Sequence, residues 1–341
     1  MKASLQVKEP EVNNLKEKTT LQKVLTVLGS QKGWLFVAPA LLLMLLFTFY
    51  PIVNSLISAF KNNYDGLTGA YNGWGIENFK YVFMYATDGA NFVDCLINTL
   101  IFAFISVPVS TLLALFISVA LASIKPLQKA YQTVFFLPYL TNSLAMGAVF
   151  ATFFTIVGTK TNVDTYGIVN NIIMAFGGSP IDFIGDSGVP WANRLVIIVY
   201  EVWSGLPFKI LILFSALQSV NKQYYDAAKV DGASKNTTLW KITVPLISPM
   251  LSYLLITGLM GGLKSYSAIL GIYGDKMGPV RNEMNTMVGY IYACIETAAN
   301  TTNPGAGGGT GKAAAASLIL FGIIMVFTAI NLYVSKKKVH Y

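Results

Sequence analysis

Charge is what this chain has least of. Of its 341 residues only 12% are Asp, Glu, Lys or Arg, while 54% are hydrophobic and the mean hydropathy is +0.56. A soluble domain carries about 25% charged residues, so the composition excludes a water-soluble globular protein and reads as a polytopic membrane protein. Cysteine and histidine are almost missing. Two cysteines, Cys95 and Cys294, are too few for a disulfide framework, and nothing in their spacing fixes whether they pair. The one histidine, His340, sits in the C-terminal tail. With so little His, Cys or paired acid, neither a metal site nor a catalytic set is legible, which argues against an enzyme. The net charge of +8 does not mark a nucleic-acid binder, because the basic residues flank apolar runs instead of forming a patch.

What the chain does have is long apolar runs. Six stretches, about 33–60, 97–124, 130–157, 193–219, 246–270 and 313–335, reach the roughly 20 residues that a bilayer crossing takes. The expected fold is an all-α polytopic membrane protein with six transmembrane helices in a domain spanning 33–335. Pro39, Pro51, Pro108 and Pro138 fall inside spans and are expected to kink them. In the segment 1–32, Leu21, Val24, Leu25 and Leu28 share one helical face, as in a short interfacial helix; a frayed polar tail fits equally well. The first apolar run starts at Gly33, behind a charged segment, and is too long for a cleavable signal.

Basic residues orient the bundle. With the N-terminus inside, the inner segments hold six in 1–32, two at Lys125 and Lys129, four at Lys222, Lys229, Lys235 and Lys241, and three at Lys336, Lys337 and Lys338, fifteen in all. The outer segments hold six. The positive-inside rule then places both termini, including the tail 336–341, and the segment 220–245 in the cytoplasm. The outer segments 61–95, 158–192 and 271–312 are rich in Gly, Asn, Tyr and Asp, and Tyr64, Tyr71, Trp74, Phe79 and Tyr81 predict that the first packs as a small cap.

The segment 220–245 is the one long polar interruption on the inner side, and its pattern predicts two short helices. Asp226 is expected to open the first, where a carboxylate meets the positive end of the helix dipole. Gly232 permits the turn, Ser234 caps a second turn carrying Leu239 and Trp240, and Pro245 and Pro249 lead into the next span. A stiff, partly apolar knuckle at a membrane face is a docking element. A second motif misleads. Residues 306–313 (AGGGTGKA) nearly read as a phosphate-binding loop, but Ala306 and Ala313 stand where Gly and Ser or Thr are needed, and no strand precedes them.

Charges within spans are rare enough to single out. Glu201 and Lys209 lie on the fourth, eight residues and so about 80° apart around the axis, which disfavours a mutual pair. Glu201 with Tyr200 and Trp203 offers hydrogen bonds and ring stacking to a polar solute; a place at the outer interface is the alternative. Lys209 is expected to pair with a neighbouring helix or with a second subunit. Lys264, Ser265, Tyr266 and Ser267 follow Gly258, Gly261 and Gly262 on the fifth span, and these small residues serve either a path or helix packing.

The stretch from Asp226 to Pro249 (DAAKVDGASKNTTLWKITVPLISP) resembles the signature loop of permease subunits of binding-protein-dependent ABC importers, Glu-Ala-Ala followed three residues later by Gly. The likeness runs on through GWLFVAPALLLMLLFTFYPIVNSL from Gly33, TVFFLPYL from Thr133, VWSGLPFKILILFSALQSV from Val202 and GKAAAASLILFGIIMVFTAINLYV from Gly311, which are similar to the maltose-type carbohydrate permeases. Asp226 departs from the pattern by one methylene. The resemblance implies the type I importer permease fold and an ATPase-coupling element of Tyr225, Asp226, Ala227, Ala228, Asp231, Gly232 and Ala233. Asp226, Ala227 and Ala228 would meet the ATPase, Gly232 would make the turn and Asp231 would stay solvated. It also implies a substrate path that includes Tyr200, Glu201, Trp203, Lys264 and Tyr266. The implied assembly has a second homologous permease, two ATP-binding subunits carrying ATP and Mg, and an extracellular solute-binding protein, in a bacterial plasma membrane. No cofactor is expected on this chain. The implied solute is a sugar, an oligosaccharide first and glycerol phosphate as a related alternative. An ion-coupled carrier is the rival class; it calls for buried carboxylates and broken helices, of which the sequence offers Glu201 alone and no visible break.

Overall fold

In the computed structural model, residues 32–87, 90–124, 126, 128–158, 163–185, 190–274, 284–300 and 309–338 are described. The expectations for 1–31, for residues 306–308 and for His340 therefore lie outside the described residues. Among the described residues four helices are long and apolar enough to cross a membrane: Phe36–Ala59, Phe92–Ser123, Pro190–Ser219 and Thr310–Val334. Two bent pairs, Gln128–Leu140 with Ser143–Phe154 and Lys235–Leu246 with Ser248–Gly262, bring the number to six when each pair counts as one span.

The first span consists of α1 (Lys32–Met44), a π-turn at Leu45–Phe49 and α2 (Tyr50–Ala59). The π-turn has a sequence cause. Pro51 donates no hydrogen bond and its ring presses on the carbonyl four residues back, and a wider turn just upstream relieves both. A second π-turn, Leu239–Thr243, precedes Pro245 by the same two residues. The segment after α2 folds back as a cap before α3 (Glu77–Met84). Asn62 N–H donates to the Gly73 carbonyl at 2.9 Å, and Asn78 Nδ2 donates to the carbonyls of Ala59 and Lys61 at 3.0 and 2.8 Å. Lys61 sits over the rings of Tyr64 and Tyr71. In the cap, the Thr68 hydroxyl donates to Asp65 and holds its carboxyl below the usual carboxylate range.

Two spans lie side by side and run in the same direction, α4 (Phe92–Ser123) and α8 (Pro190–Ser219). Arg194 donates to Asn98 Oδ1 at 3.3 Å near one end, and Ser118 donates to the Ile210 carbonyl at 3.1 Å toward the other. The buried face of α4 carries Asn98, Phe102, Ser106, Ser110, Ala114 and Ser118, each four residues from the next, while Ile105, Val109, Leu112 and Phe116 are exposed. This helix is more polar inside than out. Lipid tails are as apolar as Leu, so small and hydroxyl residues drive association by letting backbones approach.

The third span bends at Pro138, as expected, but far more sharply than a kink, and the fifth is not one continuous helix over 246–270. α5 (Gln128–Phe136) passes through a 3₁₀ turn at Leu137–Leu140 containing Pro138, and the chain turns by 100° into α6 (Ser143–Phe154). Asn142 caps α6, its Oδ1 accepting from Leu144 N–H at 2.9 Å. Next come a two-stranded antiparallel hairpin, β1 (Ile156–Gly158) and β2 (Val163–Tyr166), with Ile156 opposite Tyr166, and then α7 (Ile168–Ala175). After α8 come α9 (Lys222–Val230), α10 (Lys235–Thr238), the π-turn and α11 (Val244–Leu246). The chain then bends by 69° into α12 (Ser248–Gly262). That helix stops at Gly262 instead of reaching 270. Residues 263–266 form a break, and α13 (Ser267–Tyr273) starts anew. α13 crosses α6 at two glycines: a Cβ on Gly147 would lie 2.7 Å from the Ala268 carbonyl, and one on Gly271 would strike the Leu144 carbonyl. Only glycine allows so close a crossing. Helices α14 (Met287–Asn300) and α15 (Thr310–Lys338) close the bundle over Ala313–Ala316, Tyr290 and the free thiols of Cys95 and Cys294, all in one buried cluster with Val82 of α3.

Candidate functional site

Two places answer to the residues singled out in the sequence. The first is the knuckle 221–243. Asn221, not Asp226, caps its first helix, accepting from Gln223 N–H at 3.0 Å. Asp226 therefore sits more than a turn inside α9, away from the N-terminal dipole, and faces Lys229 at 3.8 Å in an exposed pair. Such a pair contributes about 0.3–0.5 kcal/mol. Gly232 ends the helix with φ of +70°. Ala233 N–H reaches back to the Ala228 carbonyl at 2.9 Å and Gly232 N–H to Lys229 at 3.1 Å, the double bond of a Schellman ending. Ser234 then accepts from Thr237 N–H at 3.2 Å, as its type predicts.

Two contacts stiffen the knuckle. The Thr243 hydroxyl donates to Tyr225 Oη at 3.4 Å, and Trp240 meets Phe116 of α4 edge to face at 6.4 Å. These contacts divide the nominated residues. Asp226, Ala227, Asp231 and Gly232 are exposed; Ala228 is buried, and Tyr225 and Ala233 are half-buried. Ala228 and Tyr225 thus face their own chain. Tyr224 and Val230 were missed by the sequence reading. Both are exposed, Val230 to 88%, and each lies three residues from Ala227. Helical spacing from Ala227 was the signal that pointed to them.

The second place is a cavity of about 160 Å³ between α4, α8 and α12, lined by Ser106, Ser110, Glu201, Ser204, Lys209 and the glycines 258, 261 and 262 among others. Glu201 Oε1 accepts from the Ser265 hydroxyl, in the break after α12. Lys209, 6% exposed, donates to the Val107 carbonyl at 3.1 Å and to Ser110 Oγ at 2.5 Å. A lysine at membrane depth costs about 2.5–3.5 kcal/mol to insert, and two charge-assisted hydrogen bonds of about 1.5–3 kcal/mol each offset that. Lys209 thus pairs with a neighbouring helix, as expected of it, and does not contact Glu201 at ion-pair distance.

Glu201 alone of the five nominated path residues lines this cavity. Tyr200 is buried with Phe150 and Trp203, ring centroids 5.3 and 6.0 Å away, and its hydroxyl donates to the Ser143 carbonyl at 3.1 Å. It clamps the start of α6 just after the 100° bend. Trp203 packs in the same aromatic cluster. Lys264 is exposed, and Tyr266 stacks on Tyr292 at 4.5 Å. Ser106, Ser110 and Ser204 were invisible to the sequence reading because a hydroxyl in an apolar span is ordinary; only the i, i+4 spacing of Ser106 and Ser110 hinted at them. Arg194 was also missed. From it a polar chain leads inward: Asn98 Nδ2 donates to the Asn285 carbonyl at 3.3 Å, Thr286 Oγ1 to the Ser265 carbonyl at 2.8 Å, and Ser265 to Glu201.

A cavity between membrane helices that holds Glu201, Lys209 and three serines, with one of those helices leading from it to an exposed knuckle, is what a membrane transport subunit presents. Among the described residues no group of acids, Cys or His is placed to hold a metal. Residues 115–340 match the binding-protein-dependent transport system inner membrane component family, and the chain belongs to that family. It is 31% identical over 297 residues to a probable ABC transporter permease of Mycoplasma genitalium, covering 85% of this chain and 81% of that protein. It is 28% identical to the lactose transport system permease of Rhizobium radiobacter, over 76% of this chain and 82% of the other. A crystal structure of a bacterial ABC transporter involved in the import of the acidic polysaccharide alginate superposes with a TM-score of 0.71 at 22% identity, covering 92% of this chain and 99% of that one. That likeness establishes the fold, the type I importer permease fold.

Proposed function

We propose that the chain is the transmembrane permease subunit of an ATP-driven importer in a bacterial plasma membrane, and that it passes an oligosaccharide through the cavity at Glu201. The observation that carries this reading is the continuity of α8. It contributes Glu201, Ser204 and Lys209 to the cavity and, two residues past its end, Asn221 caps the knuckle. Displacement of the knuckle is therefore displacement of a cavity wall. Both termini and the knuckle lie in the cytoplasm on this reading. Two ATP-binding subunits, which hold the ATP and Mg, grip the face of Tyr224, Asp226, Ala227, Val230 and Asp231. A second homologous permease completes the passage, and an external binding protein delivers the solute. The chain itself performs no chemistry. Support for a saccharide comes from the lactose permease relative and from the polysaccharide importer that shares the fold.

The helix breaks at 137–142 and 263–266, beside a carboxylate in a span, are also what an ion-coupled carrier would have. Uptake into liposomes separates the two. The importer reading expects transport only with the partner chains and ATP, unaffected by ionophores. Solute movement by this chain alone, following an ion gradient, would overturn it.

A further inference from the structure

Cavity walls present acceptors and donors unequally. Lys209 has turned its ammonium to the Val107 carbonyl and Ser110, so its charge is held by α4. Glu201 has one oxygen engaged by Ser265, and among the described residues its Oε2 has no hydrogen-bond partner. Ser106 is 4% exposed and lines the cavity, and its hydroxyl is likewise unpartnered. The pairings of Asn98 with Arg194 and of Ser110 with Gly205 set the register of α4 against α8 and bring Ser106 level with Glu201. A buried hydroxyl without a partner and a half-satisfied carboxylate facing one space are groups awaiting a ligand. A carboxylate oxygen takes only donors.

We infer that Glu201 is a specificity-determining residue, and that the cavity selects solutes presenting hydrogen-bond donors to it, the vicinal hydroxyls of a neutral saccharide or the ammonium of an amino sugar, and rejects anionic saccharides such as uronates and sugar phosphates. The inference rests on the proposed path through this cavity. It sets this chain apart from the alginate importer, whose likeness reaches only the fold.

Charged thiol reagents test it without knowledge of the natural solute. Ser106→Cys, in a chain carrying Cys95→Ala and Cys294→Ala, is assembled with its partner subunits in membranes. It is treated with the cationic trimethylammonioethyl or the anionic sulfonatoethyl methanethiosulfonate, each rate divided by that of free cysteine. The expected ratio favours the cation by about tenfold, as a nearby unit charge in a low-dielectric cavity dictates, and Glu201→Gln removes the preference. Ser204→Cys provides a second reporter should the first fail to assemble. A ratio at or below one, which Lys209 would produce if its charge ruled the cavity, overturns the inference. So does a cation preference unchanged by Glu201→Gln, or no reaction at either position. ATP-driven uptake is assayed on the same preparations. Uptake with no charge preference defeats this inference alone, whereas absence of ATP-driven uptake defeats the proposed function and leaves the ratio to judge the cavity.

Discussion

The knuckle and the cavity wall are built by opposite rules. From 221 to 243 the caps and turn bonds join residues within five positions, Asn221 to Gln223, Ala228 to Ala233 and Ser234 to Thr237, with Thr243 to Tyr225 and Trp240 to Phe116 as the longer ties. Around the cavity the contacts join residues from 64 to 102 positions apart, Glu201 to Ser265 and Lys209 to Ser110 and Val107. A locally built part keeps its shape when the surroundings move, as a lever must. A wall assembled from three helices changes shape whenever one of them shifts, which is the behaviour required of a passage.

Substitutions can break this contrast. The largest expected effect is at the crossing of α6 and α13. In Gly271→Leu the new side chain meets backbone, which cannot give way as a side-chain tip can, and overpacking of that kind costs about 1–3 kcal/mol or more. Thermal unfolding in detergent should fall clearly, and an unchanged midpoint would refute the packing argument. Gly232→Leu comes next. Nothing crowds a Cβ there, so the effect is conformational, about 1–2 kcal/mol for a φ of +70°. The expected result is loss of ATP-driven uptake with the helical circular dichroism retained; full uptake would show that the turn does not matter to coupling.

Ser234→Ala removes one cap and is expected to cost about 1 kcal/mol, read as faster amide exchange at Thr237 with the cavity unaffected. Lys209→Met sharpens the comparison from the other side. Two hydrogen bonds of about 1.5–3 kcal/mol each are lost while an insertion penalty of about 2.5–3.5 kcal/mol is relieved, so stability should fall by only about 1–2 kcal/mol. A large destabilisation would mean that the ammonium does more than satisfy α4.

The legible parts of the sequence were those whose physics is local. Gly232 and Ser234 behave as their residue types dictate, because a left-handed turn and an N-cap depend on a few neighbouring atoms. Even there Asp226 was misplaced: Asn221, five residues earlier, is an equally good cap, and the helix takes the start that gives it another turn. The cavity was half legible. Glu201 stood out because a carboxylate in a span is rare, whereas Tyr200 and Trp203 beside it turned into an aromatic cluster with Phe150. Adjacent positions on a helix face different neighbours, and periodicity does not name those neighbours.

Six membrane spans, the mid-span charges and the turn residues of the knuckle followed from composition and short-range pattern alone, since burying a backbone in lipid and closing a helix end are problems each segment solves by itself. How sharply the third span bends, where the fifth span breaks, which serines meet Glu201 and which residues of the knuckle face outward were decided only by tertiary structure. The physical reason is that apolar residues occupy both the lipid-facing and the packed faces of a membrane helix, so hydropathy alone does not tell the two apart. What separates a packed face from an open one is which backbone comes close enough to fill it.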